Sequence, residues 1–208
     1  MRILIIVLIS IIALNAGQFD KVKITPDMSY LYVYHKGKAV KVHRIQDTKN
    51  KLTGEYARQF RPGQDIQSIE MHKNIQTIGE VELLSFMKKK VNNKEGLLVD
   101  LRDKEEYAKE SIPSAVNIPA SVKNDKTKIE KIFKILGAIR ASDGSLDVSS
   151  AQEVAFYCNG LWCNKTSEFI NAFLDLGYPA EKILYYRGGF QMWKILGFTT
   201  ATNNKERE

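Results

Sequence analysis

The sequence predicts an α/β fold: a parallel sheet flanked by helices, with an N-terminal β-hairpin extension. Three observations predict it. Short apolar runs alternate with helix-period segments from about residue 75 to 200. Those runs lack the apolar–polar alternation of a one-sided sheet, so both of their faces should be covered. Ahead of them stand two alternating runs split by Lys36-Gly37-Lys38, the pattern of a hairpin.

The elements follow in order. Tyr30 to His35 and Ala39 to His43 are the hairpin strands. An isolated hairpin is barely stable, so it should pack on the larger unit or offer its edge to a partner. A polar stretch from Asp47 ends in the turn Arg61-Pro62-Gly63. Ile75 to Ile78 is short and extended. Val81 to Val91 puts Val81, Leu84 and Met87 on one helical face. Gly96 to Asp100 is a compact strand, and Glu105 to Ala108 a short helix. Ala115 to Ile118 is a strand stopped by Pro119. Lys128 to Gly137 is amphipathic, and Asp143-Gly144 turns the chain. Glu153 to Tyr157 is a strand, and Lys165 to Leu176 a helix stopped by Gly177. Lys182 to Tyr186 is the last strand. Arg187-Gly188-Gly189 then turns into a closing helix, Phe190 to Leu196. Ligands of parallel sheets bind beyond the carboxyl ends of the strands. Asp100 and Cys158 stand at two such ends.

The chain has 208 residues, 44% hydrophobic and 26% charged. That suits one ordinary domain with an appendage. Residues 1–16 read as an export signal: Arg2, an apolar run from Ile3 to Leu14, then Asn15-Ala16-Gly17 for cleavage. The run is shorter than a bilayer span needs; the alternative is an uncleaved anchor. The divisions expected are 1–16 signal peptide, 17–74 hairpin leader, 75–200 main domain and 201–208 polar tail. Export points to a periplasmic protein. Without Arg2, 30 basic residues face 24 acids, a net charge of +6. The bases are mixed with acids and form no nucleic-acid stripe, so nucleic acid is not an expected partner. The field would favour small anions.

Two cysteines, Cys158 and Cys163, lie in one stretch: Phe156-Tyr-Cys158-Asn-Gly-Leu-Trp-Cys163-Asn-Lys. An apolar run ends at Cys158, a glycine loop follows, and a helix begins soon after. Such a layout holds a sulfur over backbone N–H groups beside a helix N-terminus, where anions are favoured. A thiol there ionises more readily and becomes a nucleophile. A bond between cysteines five positions apart would restrain little of the unfolded chain. It would therefore be regulatory or catalytic rather than a staple.

Four blocks now carry a resemblance: Leu98-Val-Asp100-Leu-Arg102; Glu106-Tyr107 with Ser111-Ile-Pro-Ser-Ala-Val-Asn-Ile-Pro119; Tyr157-Cys158-Asn159-Gly160; and Tyr186-Arg187-Gly188-Gly189-Phe190 with Trp193. In this order and spacing the chain resembles a rhodanese-like domain, in the exported subset with a second cysteine in the active loop. The resemblance implies a rhodanese-like parallel sheet and a sulfurtransferase. Cys158 matches the family's nucleophile. It would attack a sulfane sulfur, as in thiosulfate, and keep it as a persulfide until a thiol or cyanide takes it. The expected partners are thus a small anionic donor and a thiophilic acceptor, with no cofactor.

The amides of Asn159, Gly160, Leu161, Trp162, Cys163 and Asn164 would cradle the persulfide, and Gly160 would let the loop curl. Cys163 would be a resolving thiol or a packing residue. Trp162 would wall the pocket or anchor the loop. Lys165 would attract the anion or stand solvated. Asp100 and Arg102 would hold the fold through an ion pair. Arg187 would face the substrate, with Gly188 and Gly189 allowing close backbone approach. The chain has Ser111 and Ser114 where the family usually has His and Gly. Its loop is slightly longer than the common form and lacks the basic residues that favour thiosulfate.

Related phosphatases and arsenate reductases need an arginine to clamp an oxyanion; here Asn164 and Lys165 occupy those places. A metal site is not expected, because His35, His43 and His72 lie far in sequence from the cysteines. A thiol–disulfide protein using Cys158 and Cys163 is one alternative function. A non-catalytic module whose hairpin docks a periplasmic partner is another.

Overall fold

The computed structural model describes residues 21–57 and 65–204. The expected signal at 1–16 and the turn at 61–63 lie outside the described residues. Among the described residues, no helix is long and apolar enough to cross a membrane.

The chain opens with the hairpin, β1 (Tyr30–His35) and β2 (Lys38–His43), paired antiparallel. Then come β3 (Gln76–Ile78) and α1 (Glu80–Phe86), which runs on into a π turn at Met87–Val91. They are followed by β4 (Gly96–Asp100), α2 (Lys104–Lys109), β5 (Val116–Asn117) and α3 (Lys126–Ile135). A small ribbon, β6 (Ile139–Arg140) and β7 (Leu146–Asp147), surrounds the expected turn at Asp143-Gly144. The chain ends with β8 (Glu153–Tyr157), α4 (Lys165–Asp175), β9 (Ile183–Tyr186) and α5 (Gly189–Ile195).

The central sheet runs β3-β9-β8-β4-β5, and every neighbouring pair is parallel. Successive residues of β4 and β8 feed opposite cores. Val99, Val154 and Phe156 meet Phe133 of α3 and Phe169 and Phe173 of α4. Leu98, Ala155 and Tyr157 meet Leu83, Met87, Phe190 and Trp193 on the other side. This explains the unbroken apolar strands: each side chain enters an interior, and each large one contributes about 1.5–3 kcal/mol by leaving water. The helices bury one stripe each. In α3, Ile129 and Phe133 lie one turn apart, and Asp125 Oδ1 caps the start by accepting from the Lys128 N–H at 3.1 Å.

The hairpin packs on the main domain. Leu31, Val33 and Val42 join the core of Leu83 and Met87. Asn92 covers the edge of β1 locally: it accepts from the Tyr34 N–H at 3.1 Å and donates to the Tyr32 carbonyl at 2.8 Å. The far end of β2 pairs with residues after α5, with the Thr199 N–H on the His43 carbonyl at 3.0 Å. His35 is buried. Its Nδ1 accepts from the Ser114 N–H at 3.0 Å, so the ring's proton sits on Nε2, which donates to Asn203 Oδ1 at 2.8 Å. The start of the expected polar tail is therefore part of the body. Ala201 pairs with Ser111, and Asn203 is buried, because its amide satisfies Tyr107, Ser111 and His35 at once.

Candidate active site

Three parallel strands aim their carboxyl ends at one place. β4 delivers Asp100, β8 delivers Cys158, and β9 leads to Arg187. Asp100 and Tyr157 are register partners on adjacent strands. Arg102 sits on the loop after β4 and is fully buried with Asp100. Its Nη2 and Nε donate to the Asp100 carboxylate at 2.7 and 3.0 Å, and its backbone N–H does so at 2.9 Å. The Tyr157 hydroxyl donates to the same carboxylate at 2.7 Å. The guanidinium also lies 4.0 Å over the Phe190 ring and donates to the Glu110 carbonyl at 2.6 Å. Burial alone would weaken the charge on Arg102. The hydrogen bonds and charge of Asp100 outweigh it and hold the guanidinium above its ordinary range. Burial, and then the neighbouring carboxylate, push the Tyr157 phenol well above its usual value. Through Tyr157, the buried pair of Asp100 and Arg102 holds the end of β8 immediately before Cys158.

Cys158 and Cys163 are joined as a disulfide, with Cα atoms 6.3 Å apart. They are only 2% and 5% exposed. The expected free thiolate in an open pocket is therefore not the state of this loop. The amide cradle is also modified: the Cys163 N–H turns back onto the Gly160 carbonyl at 2.9 Å. The loop starts α4, whose first residue is Lys165. It also abuts the start of α5, where the N–H groups of Phe190 and Gln191 donate to the carbonyls of Cys158 and Asn159 at 2.9 and 2.8 Å. Two helix N-termini thus converge on the disulfide-closed loop.

The other expected site residues divide. Trp162 is half-buried and its Nε1–H donates to Gln191 Oε1 at 3.1 Å, so it anchors the loop to α5. Gly160 has no left-handed φ; its need for glycine is space, since a Cβ would stand 2.8 Å from Gln191 Oε1. Gly189 needs both: φ is +61°, and a Cβ would stand 2.6 Å from the Cys158 carbonyl. Gly188 is right-handed and adjoins Glu80. Asn164 donates to Glu168 Oε1 at 2.7 Å. Lys165 is exposed and paired with Asp103 at 3.1 Å. Leu161 presents its carbonyl to the Gln67 N–H at 2.8 Å. Arg187 does not lie open to a substrate: its Nε and Nη2 donate to the Gln67 carbonyl at 2.8 and 2.6 Å.

Gln67, Gln191 and Tyr157 are the site residues that sequence reasoning missed. Tyr157 was signalled, since it precedes Cys158 at the end of a buried strand. Gln67 had no signal, because it acts mostly through its backbone from 120 positions before Arg187.

No curated protein matches the chain. Among solved structures, a protein from Bacillus halodurans shares 23% identity over 62% of this chain and 78% of its own, with a TM-score of 0.45. A thiosulfate sulfurtransferase from Pseudomonas aeruginosa shares 16% identity over 66% of this chain, with a TM-score of 0.48; the matched part is 22% of its own length. A rhodanese-related protein from Thermoplasma volcanium shares 20% identity over 61% of this chain and 98% of its own, with a TM-score of 0.38. The rhodanese-like domain family matches residues 83–196, more than half of the sequence. The chain belongs to the rhodanese-like domain family.

Proposed function

We propose that this protein is a sulfurtransferase that carries a sulfane sulfur on Cys158. The observation that carries the reading is the place of Cys158: it follows the central strand β8, between the starts of α4 and α5, inside the region that the rhodanese-like family matches. The disulfide must first open. A dithiol supplies two electrons, becomes a disulfide itself, and leaves Cys158 and Cys163 as thiols. The Cys158 thiolate then attacks the outer sulfur of a donor such as thiosulfate. The donor's S–S bond breaks, sulfite departs with the electron pair, and Cys158 holds a persulfide. A thiol or cyanide attacks the outer sulfur and regenerates the thiolate. The signal-like residues 1–16 and the disulfide both favour an exported, periplasmic setting.

The test is intact mass spectrometry of the reduced protein after thiosulfate treatment. The expected result is a gain of one sulfur atom on Cys158, removed by cyanide. No adduct from any of several sulfane donors would overturn the reading.

The disulfide itself favours a second reading, in which Cys158 and Cys163 cycle between dithiol and disulfide. In that case Cys158 and Cys163 would both be essential for thiol oxidation, and no persulfide would form.

A further inference from the structure

Gln67 joins three parts of the site from outside the matched family region. Its N–H reaches the Leu161 carbonyl, in the middle of the disulfide-closed loop, at 2.8 Å. Its own carbonyl takes both Arg187 contacts. Its side-chain oxygen lies 3.0 Å from the Ser167 hydroxyl in the first turn of α4. The residues on either side do not share in this. Asp65, Ser68 and Glu70 are exposed, and Ile66 and Ile69 are 68% and 69% exposed. Segment 65–69 is thus a strap laid over the loop, pinned to it at Gln67 and tied at its end by the Thr77 hydroxyl donating to the Ile69 carbonyl, with no apolar burial of its flanks to hold it.

We propose that Gln67 is a positioning residue of the active loop, and that the strap it pins decides which thiols reach the Cys158–Cys163 disulfide. Small thiols pass under the strap. A protein thiol, which must bring a broad surface against the loop, is held off until the strap lifts. Lifting also frees the guanidinium of Arg187 from a carbonyl that occupies its Nε and Nη2. The reaction gated is thiol–disulfide exchange: one thiolate of a dithiol attacks a loop sulfur, the Cys158–Cys163 bond breaks, and the second thiolate resolves the mixed disulfide. The inference concerns the same site as the proposed sulfur transfer. Its test reads disulfide reduction alone, so either can fail without the other.

The experiment uses the full chain in its oxidised form and two probes, dithiothreitol and thioredoxin. Gln67→Pro removes the N–H that bonds Leu161. It should raise the rate of reduction by thioredoxin by about tenfold or more, and change the dithiothreitol rate by less than about threefold. Gln67→Ala keeps the backbone bonds and loses only the Ser167 contact, so its thioredoxin rate should rise less than that of Gln67→Pro. Replacing residues 65–69 by glycine keeps those backbone groups but loosens the chain that presents them, and should raise the thioredoxin rate in the same direction by a smaller factor. An unchanged thioredoxin rate in both strap variants, or an equal rise with both probes, would overturn the proposal.

Discussion

Asp100 and Tyr157 face each other in register across β4 and β8, and the Tyr157 hydroxyl closes on the Asp100 carboxylate at 2.7 Å. The same hydroxyl accepts from the Ile112 N–H at 3.2 Å. One phenol therefore ties the residue before Cys158 to a buried ion pair and to a third backbone segment. Removing it with Tyr157→Phe leaves a buried donor and a buried carboxylate each short of a partner. The expected cost is about 1–3 kcal/mol. Asp100→Asn should cost more, about 3–5 kcal/mol, because Arg102 would keep its charge in the interior without a counter-ion. Denaturant midpoints of the two variants and the native chain check both the sizes and their order.

Ser114 stands where the family usually has glycine. Its φ is +69°, and its buried hydroxyl has no hydrogen-bond partner. A non-glycine residue in that region costs about 1–2 kcal/mol, and the unmet hydroxyl adds to it. Ser114→Gly keeps the backbone N–H that binds His35. It should raise stability by about 1 kcal/mol or more, read as a higher midpoint of thermal or denaturant unfolding.

His35 makes the hairpin's docking sensitive to acid. Burial, the main cause, lowers its pKa, and nearby Lys36 adds to this, while the bond to Asn203 works the other way. Geometry agrees, since Nδ1 is an acceptor for Ser114 and a proton placed there would meet another donor. The folded form thus prefers the neutral ring. Its contribution is fully present above the unfolded value of 6.5 and is lost as the pH falls below it. Native stability should drop between pH 7 and pH 5 (about the range in which histidine titrates) more steeply than that of His35→Gln. Parallel slopes for the two proteins would refute this.

What the sequence revealed follows from which forces are local. β4 and β8 were legible to the residue, because strands buried on both faces carry unbroken apolar runs. The site's main members were legible because they cluster at strand ends and in the glycine turn before α5. The occupants of that turn's surroundings were not. Helix periodicity through Val91 concealed the switch from α1 to a π turn, since apolar spacing alone does not report which carbonyl each N–H selects. Asn203 read as a polar tail because its burial depends on three distant partners. Gln67 read as a leader residue because its function lies in its peptide groups.

The part played by Cys163 separates the two functional readings. After reduction, sulfur transfer needs only one thiolate, and Cys163 offers the persulfide an exit: attack on Cys158 Sγ closes the loop disulfide and releases the outer sulfur as hydrosulfide. Cys163→Ser removes that exit and the disulfide together. If Cys158 is the sulfur carrier, the variant should hold its persulfide at least as long as the reduced native protein. It should turn over with thiosulfate and cyanide without prior reduction. Cys158→Ser should lose all turnover. Persulfide lifetime by mass spectrometry, together with thiocyanate formation, checks each point. Inactivity of Cys163→Ser in sulfur transfer, with dithiol oxidation by the native chain intact, would instead assign the pair to disulfide exchange.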